Sequence, residues 1–323
     1  MSDPADGRDE PSGIASTGPA GPAIADGPPG LSPQNTVEVA ALLRHLHRTR
    51  GFSLALVVVN HPTTRDEVLT HLVRATVGLE VRLRRGAGGP VSQVEASLGS
   101  GSPTAVFLVG LELLVEDGPS AALDNLNLNR DFLARRLACP LVILGPAWLA
   151  GSLARGATDL WSVRSNVFEL VGDAKAGRAT IEDAAHALTW EAAPAERQAK
   201  ALLLEDLAQE AIDSGEHNEP YLAALARARG DAARMLSRYE EAEGRFGEAL
   251  AVYRQIGDRL GEAGALLSWS RLRRMQGAGA EAVADLDEAA RIYDAIGLSR
   301  WADIASGEAR ELESRLVEGQ VAP

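Results

Sequence analysis

The sequence lacks most of what a reactive, membrane-embedded or nucleic-acid-coating protein needs. It has one cysteine, Cys139, in 323 residues, so no disulfide can form within the chain. The surrounding Leu137-Ala138-Cys139-Pro140-Leu141-Val142 reads as the approach to a buried strand, and a reactive thiol wants a cationic, partly exposed setting. Cys139 therefore reads as an inert core thiol. Aromatic residues make up only 4% of the chain while alanine is abundant. That balance favours close-packed helices, because small side chains let helix axes approach one another. Basic residues are in deficit, 32 Lys and Arg against 45 Asp and Glu, for a formal charge of -13. Neutralising phosphates takes a surplus of cations on one face, so no nucleic-acid partner is expected. The longest apolar runs, Leu54 to Val59 and Ala105 to Leu114, are too short to cross a bilayer. The first thirty residues show neither the basic start nor the apolar stretch of a secretory signal. A cytoplasmic protein with no membrane partner is the expectation.

What is present divides the chain. Hydrophobic residues reach 46%, enough for real cores, and the length suits two folded units with tails. Residues 1–34 hold Gly-Pro, Pro-Gly and Pro-Pro pairs and few large apolar groups, so they cannot offset the entropy of ordering and read as a disordered tail. Residues 35–172 read as an α/β domain, 173–197 as a linker and helix, 198–317 as a helical repeat domain and 318–323 as a short tail.

In the α/β part, Val37 to Leu46 has helical spacing, and Phe52 to Val59 is apolar almost throughout, as a strand covered on both faces must be. After Asn60-His61-Pro62-Thr63 a helix is expected, with Thr64 as its N-cap. Further strands are expected at Val81 to Arg84, Thr104 to Val109, Leu141 to Leu144 and Asn166 to Leu170. Between them fall helices at Val94 to Leu98, Ser120 to Leu137 and Trp148 to Arg155. Alternating strands and helices specify a mostly parallel sheet flanked by helices. Gly172 to about Thr180 reads as a linker.

Past Glu196 the apolar positions keep helical spacing, and the sequence repeats at a shift of 40: Met235 and Met275, Ala242 and Ala282, Ala249 and Ala289, Tyr253 and Tyr293, Ile256 and Ile296, Gly257 and Gly297. Gly230 or Ser270 lets a first helix approach a second, and Phe246 or Leu286 fills the gap between them. These positions, over about Tyr221 to Ile296, resemble the tetratricopeptide pattern in a form whose second helix ends in Tyr-x-x-Ile-Gly. Leu236-Ser237 stands where that pattern usually has a glycine; the second unit has Gly277. Lys200 to Ile212 and Trp301 to Leu316 are expected to cap two units that are few for a solenoid. The resemblance implies a groove for a peptide or a partner helix. Arginines on the first helices, Arg227, Arg229, Arg234, Arg271, Arg273 and Arg274, suggest an acidic-peptide face, a solvated charged surface being the alternative. Trp269 reads either as core packing or as part of that face.

Catalytic signatures are missing. The loop after the first strand, Asn60-His61-Pro62-Thr63-Thr64-Arg65-Asp66, has neither the glycines nor the lysine of a phosphate-binding loop, and Pro62 removes a backbone donor. Glu112 after the Val106 to Val109 strand is weak evidence for a metal. No His pair has the spacing of a zinc helix, and no nucleophile elbow occurs. The segments Asn127 to Arg135, Pro140 to Trp148 and Ala157 to Phe168, with Asp159-Leu160-Trp161-Ser162-Val163-Arg164-Ser165 the most specific, resemble a bacterial α/β domain similar to the ATPase core of STAND-type signalling proteins. That resemblance implies a P-loop-like three-layer domain and a regulatory or conflict-response setting. It also makes Trp161 and Arg164 a docking or closure element; the physical alternative is a strand-entry core plug with Arg164 paired to Asp159.

The expectation is therefore a non-catalytic adaptor or scaffold without cofactor or metal, binding another protein or peptide through Arg227, Arg234, Trp269, Arg271 and Arg274, with a homo-oligomer as a further possibility. The rival is a nucleotide-responsive switch with an atypical pocket at the strand ends, around Asn60, Arg65, Glu112 and Arg164.

Overall fold

The computed structural model describes residues 31–99, 101–115, 120–172, 174–188 and 192–319. Most of the expected N-terminal tail, and the end of the C-terminal one, lie outside these. The elements run α1 (Pro33–Arg48), β1 (Ser53–Val59), α2 (Pro62–Thr76), β2 (Leu79–Arg82), α3 (Pro90–Leu98), β3 (Val106–Val109), a 3₁₀ turn at Leu111–Leu113, α4 (Ala121–Leu128), α5 (Arg130–Leu137), β4 (Pro140–Gly145), α6 (Ala147–Gly156), α7 (Thr158–Ser162), β5 (Arg164–Leu170), α8 (Ala174–Ala187), α9 (Pro194–Ser214), α10 (Glu219–Met235), α11 (Tyr239–Ile256), α12 (Arg259–Gln276), α13 (Gly279–Ala295) and α14 (Ser299–Val317).

The strands pair in parallel in the order β2-β3-β4-β1-β5. Because side chains alternate across a strand, each strand supplies two cores. Leu54, Leu56, Val106, Leu108, Leu141 and Ile143 meet α3 to α7 on one face. Ala55, Val57, Phe107, Val109, Val142 and Leu144 meet α1 and α2 on the other. All six residues of β4 are buried, which explains its unbroken apolar sequence. Each such Leu or Val contributes about 1.5–3 kcal/mol over its exposed state. Cys139 belongs to the first of these cores, and burial pushes its thiol pKa up, which disfavours the reactive thiolate. The fold is α/β plus all-α, as expected.

Three local expectations are corrected. Thr64 is not an N-cap: α2 begins at Pro62, whose fixed φ suits a first helical position, so His61 is the cap and Thr64 lies buried in the first turn. The single helix expected over Ser120 to Leu137 is broken at Asn129, whose side-chain amide donates to the Asn125 carbonyl at 2.8 Å. The linker read from Gly172 to Thr180 is mostly α8, a helix packed against α10 and α2.

The helical half is a row of antiparallel helices in which α10 packs on α11, α12 on α13 and α13 on α14. The small and aromatic residues that repeat are packing residues, whereas Met275 and Ile296 are exposed. Ala242, Ala282, Ala249, Ala289, Phe246 and Leu286 are all fully buried, and a Cβ on Gly230 would fall 2.5 Å from the Phe246 ring. The caps repeat as well: Asn218 accepts from the Tyr221 N–H at 3.2 Å and Asp258 from that of Gly261 at 2.8 Å. At the third equivalent position stands Leu298, which cannot cap, so the pattern ends with α14. Ser237 adopts φ +60°, the left-handed conformation that Gly277 takes at the matching place with φ +81°.

Among the described residues no helix is long and apolar enough to cross a membrane.

Candidate functional site

The carboxyl ends of the strands, where parallel α/β sheets bind ligands, face the helical half across α8 and α9. Asn60 and His61 leave β1 here and are almost completely buried. The Asn60 side chain works in two directions: its Oδ1 accepts from the Ala147 N–H at 2.9 Å, at the start of α6, and its Nδ2 donates to Glu210 Oε2 at 3.0 Å. Glu210, on α9, also accepts at Oε1 from the Gly172 N–H at 3.0 Å and meets His61 Nε2 at 3.1 Å. A carboxylate only accepts, so His61 Nε2 carries the proton. Nδ1 of the same ring lies 3.4 Å from Thr180 Oγ1 on α8. Gly172 passes so close to the His61 ring that no Cβ fits there.

Burial works to raise the Glu210 pKa, but the bonds from His61, Asn60 and Gly172 outweigh it and hold the group below its usual range. Four residues earlier on α9, Asp206 accepts from the Trp148 N–H at 2.7 Å, in the first turn of α6. Burial pushes its pKa up to about 6 against that bond, with Glu210 and Glu205 adding to the rise. The exposed N–H groups at a helix start, and the loop after the first strand, are where an α/β sheet would hold an anionic ligand. Here two carboxylates from the helical half sit there.

Beside this joint lies a cavity of about 280 Å³, between the ends of β1, β2 and β3 and the first turns of α9. Gly110, at φ +84°, turns the chain out of β3 so that Glu112 reaches this cavity, and a Cβ on it would fall 2.9 Å from the Leu83 carbonyl oxygen. Arg65 binds Glu112 Oε1 at 2.9 Å and Asp66 at 3.2 Å, while Glu112 Oε2 has no partner. Arg85 donates to the Leu113 carbonyl at 2.6 Å and lies 3.8 Å from Glu196.

Three of the four strand-end residues named from the sequence, Asn60, Arg65 and Glu112, thus come together. Arg164 does not. It begins β5 and pairs in register with Leu54, at the opposite rim of the sheet, because in a parallel strand the first residue lies away from the carboxyl end. Its exposed guanidinium stacks 4.0 Å from the centre of the half-buried Trp161 ring and donates to the Trp161 carbonyl. Asp159 turns instead to Asn127, 3.4 Å away, so the expected buried ion pair is absent.

The residues expected to face a partner separate similarly. Arg234 is buried, bound to Asp231 at 3.1 Å, and the other Asp231 oxygen accepts from Ser268; it is packing, not groove. Trp269 packs on Phe246 with its Nε1 unpartnered and Arg273 stacked over its ring. Arg229 binds Glu205, Arg273 binds Asp285 at 2.6 Å, and Arg274 reaches Glu308 at 4.0 Å. Arg227 and Arg271 alone of the six make no hydrogen bond or ion pair among the described residues, and both lie near Tyr293.

His61, Asp206, Glu210 and Lys200 were not singled out by the sequence. The partners of His61, Asp206 and Glu210 lie up to 150 residues away, and no local pattern reports such a pairing. Among the described residues no group of three or more His, Cys, Asp and Glu is placed to hold a metal ion.

No protein-family model matches the sequence, and no curated protein matches it. Solved structures with some likeness include BtubC (BKLC) from P. vanneervenii, 15% identical, covering 64% of this chain and 92% of that one with a TM-score of 0.28. Another is the ORC2 protein of Aeropyrum pernix in ADPNP–ADP complexes, 13% identical, covering 68% of this chain and 65% of that one with a TM-score of 0.34. Likeness at this level carries neither protein's role to this chain.

Proposed function

We propose that this protein binds and organises a partner, as a non-catalytic adaptor: a short tetratricopeptide-type array that takes an acidic peptide of another protein, set on a degenerate α/β domain, within a bacterial cytoplasmic signalling, polarity or defence assembly. The observation that carries the reading is the filling of the strand-end site by Glu210 and Asp206. Those carboxylates close the start of α6 and the loop after β1, where a nucleotide would need its phosphates, and they join the α/β domain to the array. Arg227 and Arg271, which make no hydrogen bond or ion pair among the described residues, stand on the array's first helices, where arrays of this type present their groove.

The test is a crosslinking pull-down comparing the wild type with an Arg227→Glu/Arg271→Glu double variant whose circular dichroism matches it. The reading expects a protein retained by the wild type and lost by the variant; identical captures would speak against it. A second reading, the nucleotide-responsive switch, is favoured by the cavity beside Arg65 and Glu112. Self-association is a further proposal: α14 leaves Trp301 and Ile304 exposed, and light scattering reports on it.

A further inference from the structure

We infer that the strand-end cavity is a binding site for a small organic anion, a carboxylate or phosphate on a compact apolar body, with Lys200 as its principal contact. The inference goes beyond the adaptor reading, which concerns the array. It begins from charge. The chain as a whole is acidic, at -13, yet this cavity is lined by Arg65, Arg82, Arg85 and Lys200 against only Glu112 and Glu196.

Three of those cations already have partners. Arg65 is held by Glu112 and Asp66, Arg82 by Glu80 and Asp66, and Arg85 by the Leu113 carbonyl with Glu196 at 3.8 Å. Lys200 has none: no hydrogen bond or ion pair reaches it among the described residues, although it stands at a cavity wall on α9. It is also one of only two lysines in the chain. With the three guanidiniums offset by their carboxylates, this ammonium is the attractive end of the site.

The remaining walls suit the rest of such a ligand. Leu83, Val109, Leu113, Trp148 and Leu203 give the cavity an apolar lining, as small-molecule sites have. The volume of about 280 Å³ lies just below the usual range of about 300–1,000 Å³, which selects a compact ligand. The helix-start positions nearby are closed by Asp206 and Asn60, so the anion is held by side-chain cations and not by a backbone cradle. A bound ligand would touch both the strand ends and α9, and would strengthen the joint between the two halves.

Phenyl phosphate and benzoate are suitable probes, with benzyl alcohol as the uncharged control. Calorimetric titration and thermal unfolding of the full chain, in the wild type and in Lys200→Met, test the site. The expected result is saturable binding of phenyl phosphate or benzoate with a raised unfolding midpoint, weakened about tenfold in Lys200→Met by loss of one charge-assisted contact, and no comparable binding of benzyl alcohol. Whichever probe binds more tightly assigns the anion as phosphate or carboxylate. Because Lys200 holds no partner, Lys200→Met should keep the wild-type midpoint without ligand. Absence of binding by both anions, equal binding of benzyl alcohol, or unchanged affinity in Lys200→Met would each overturn the inference.

Discussion

Glu210 accepts from three donors on two distant segments, Asn60 and His61 after β1 and Gly172 after β5. Replacing it with alanine strands those buried donors, and each such loss costs about 1–3 kcal/mol. Glu210→Ala is therefore expected to lower the unfolding free energy by about 3–5 kcal/mol in a denaturant titration, and Glu210→Gln, which keeps an acceptor, by less. Asp206 works with the opposite sign. Its folded pKa stands at about 6 against an unfolded value of 3.8, so between those values the folded state holds the extra proton and stability falls as pH rises. Above about 6 the cost of the buried charge is complete. Asp206→Asn keeps an acceptor for the Trp148 N–H and removes that charge. It should melt higher than the wild type at neutral pH, the gap closing as the pH falls toward 3.8. A variant that melts lower at neutral pH would show that the charge is favourable there. Glu210, whose pKa is lowered, contributes stability that is present above its unfolded value and lost only in stronger acid.

Within the elements, the two helical pairs solve one packing problem with different residues. Gly230 admits Phe246, while Ser270 and Leu286 stand at the matching positions, both buried. Gly230→Ser alone should cost about 1–3 kcal/mol by overpacking. Adding Phe246→Leu should recover part of it, with a coupling of about 1 kcal/mol in a double-mutant cycle; strict additivity would mean that the two positions do not share one gap. Ser237→Gly should stabilise by about 1 kcal/mol, since an L side chain is strained at φ +60° and glycine is not. Much of this was legible in the sequence. The 40-residue shift marked the packing residues, and continuous apolar runs marked the buried strands, because both signals are local. The failures have one local cause and one distant one. Pro62 was taken as a missing donor when it was the start signal of α2, and the stretch from Gly172 to about Thr180 was read as a linker although most of it belongs to α8. Gly172 is needed because the His61 ring lies against it, and Gly177 because Tyr221 does; both are contacts made by distant parts of the chain.

At the scale of the whole molecule, α9 is the piece that sequence reasoning could not place. It was expected to cap the array, and it does pack on α10, but it also lies on α6 and on the 3₁₀ turn after β3. Its carboxylates occupy the strand ends, and its first turns close the cavity. Arg164 went astray for a related reason, since only the direction of β5 in the finished sheet shows which rim it occupies. Proximity at the strand ends depends on tertiary assembly, and that is where the account of function rests. Titration calorimetry of the full chain with Mg-ATP tests it most directly. With Glu210 and Asp206 in the strand-end positions, no saturable heat is expected. Micromolar binding that Arg65→Ala abolishes would contradict the account and establish a nucleotide site.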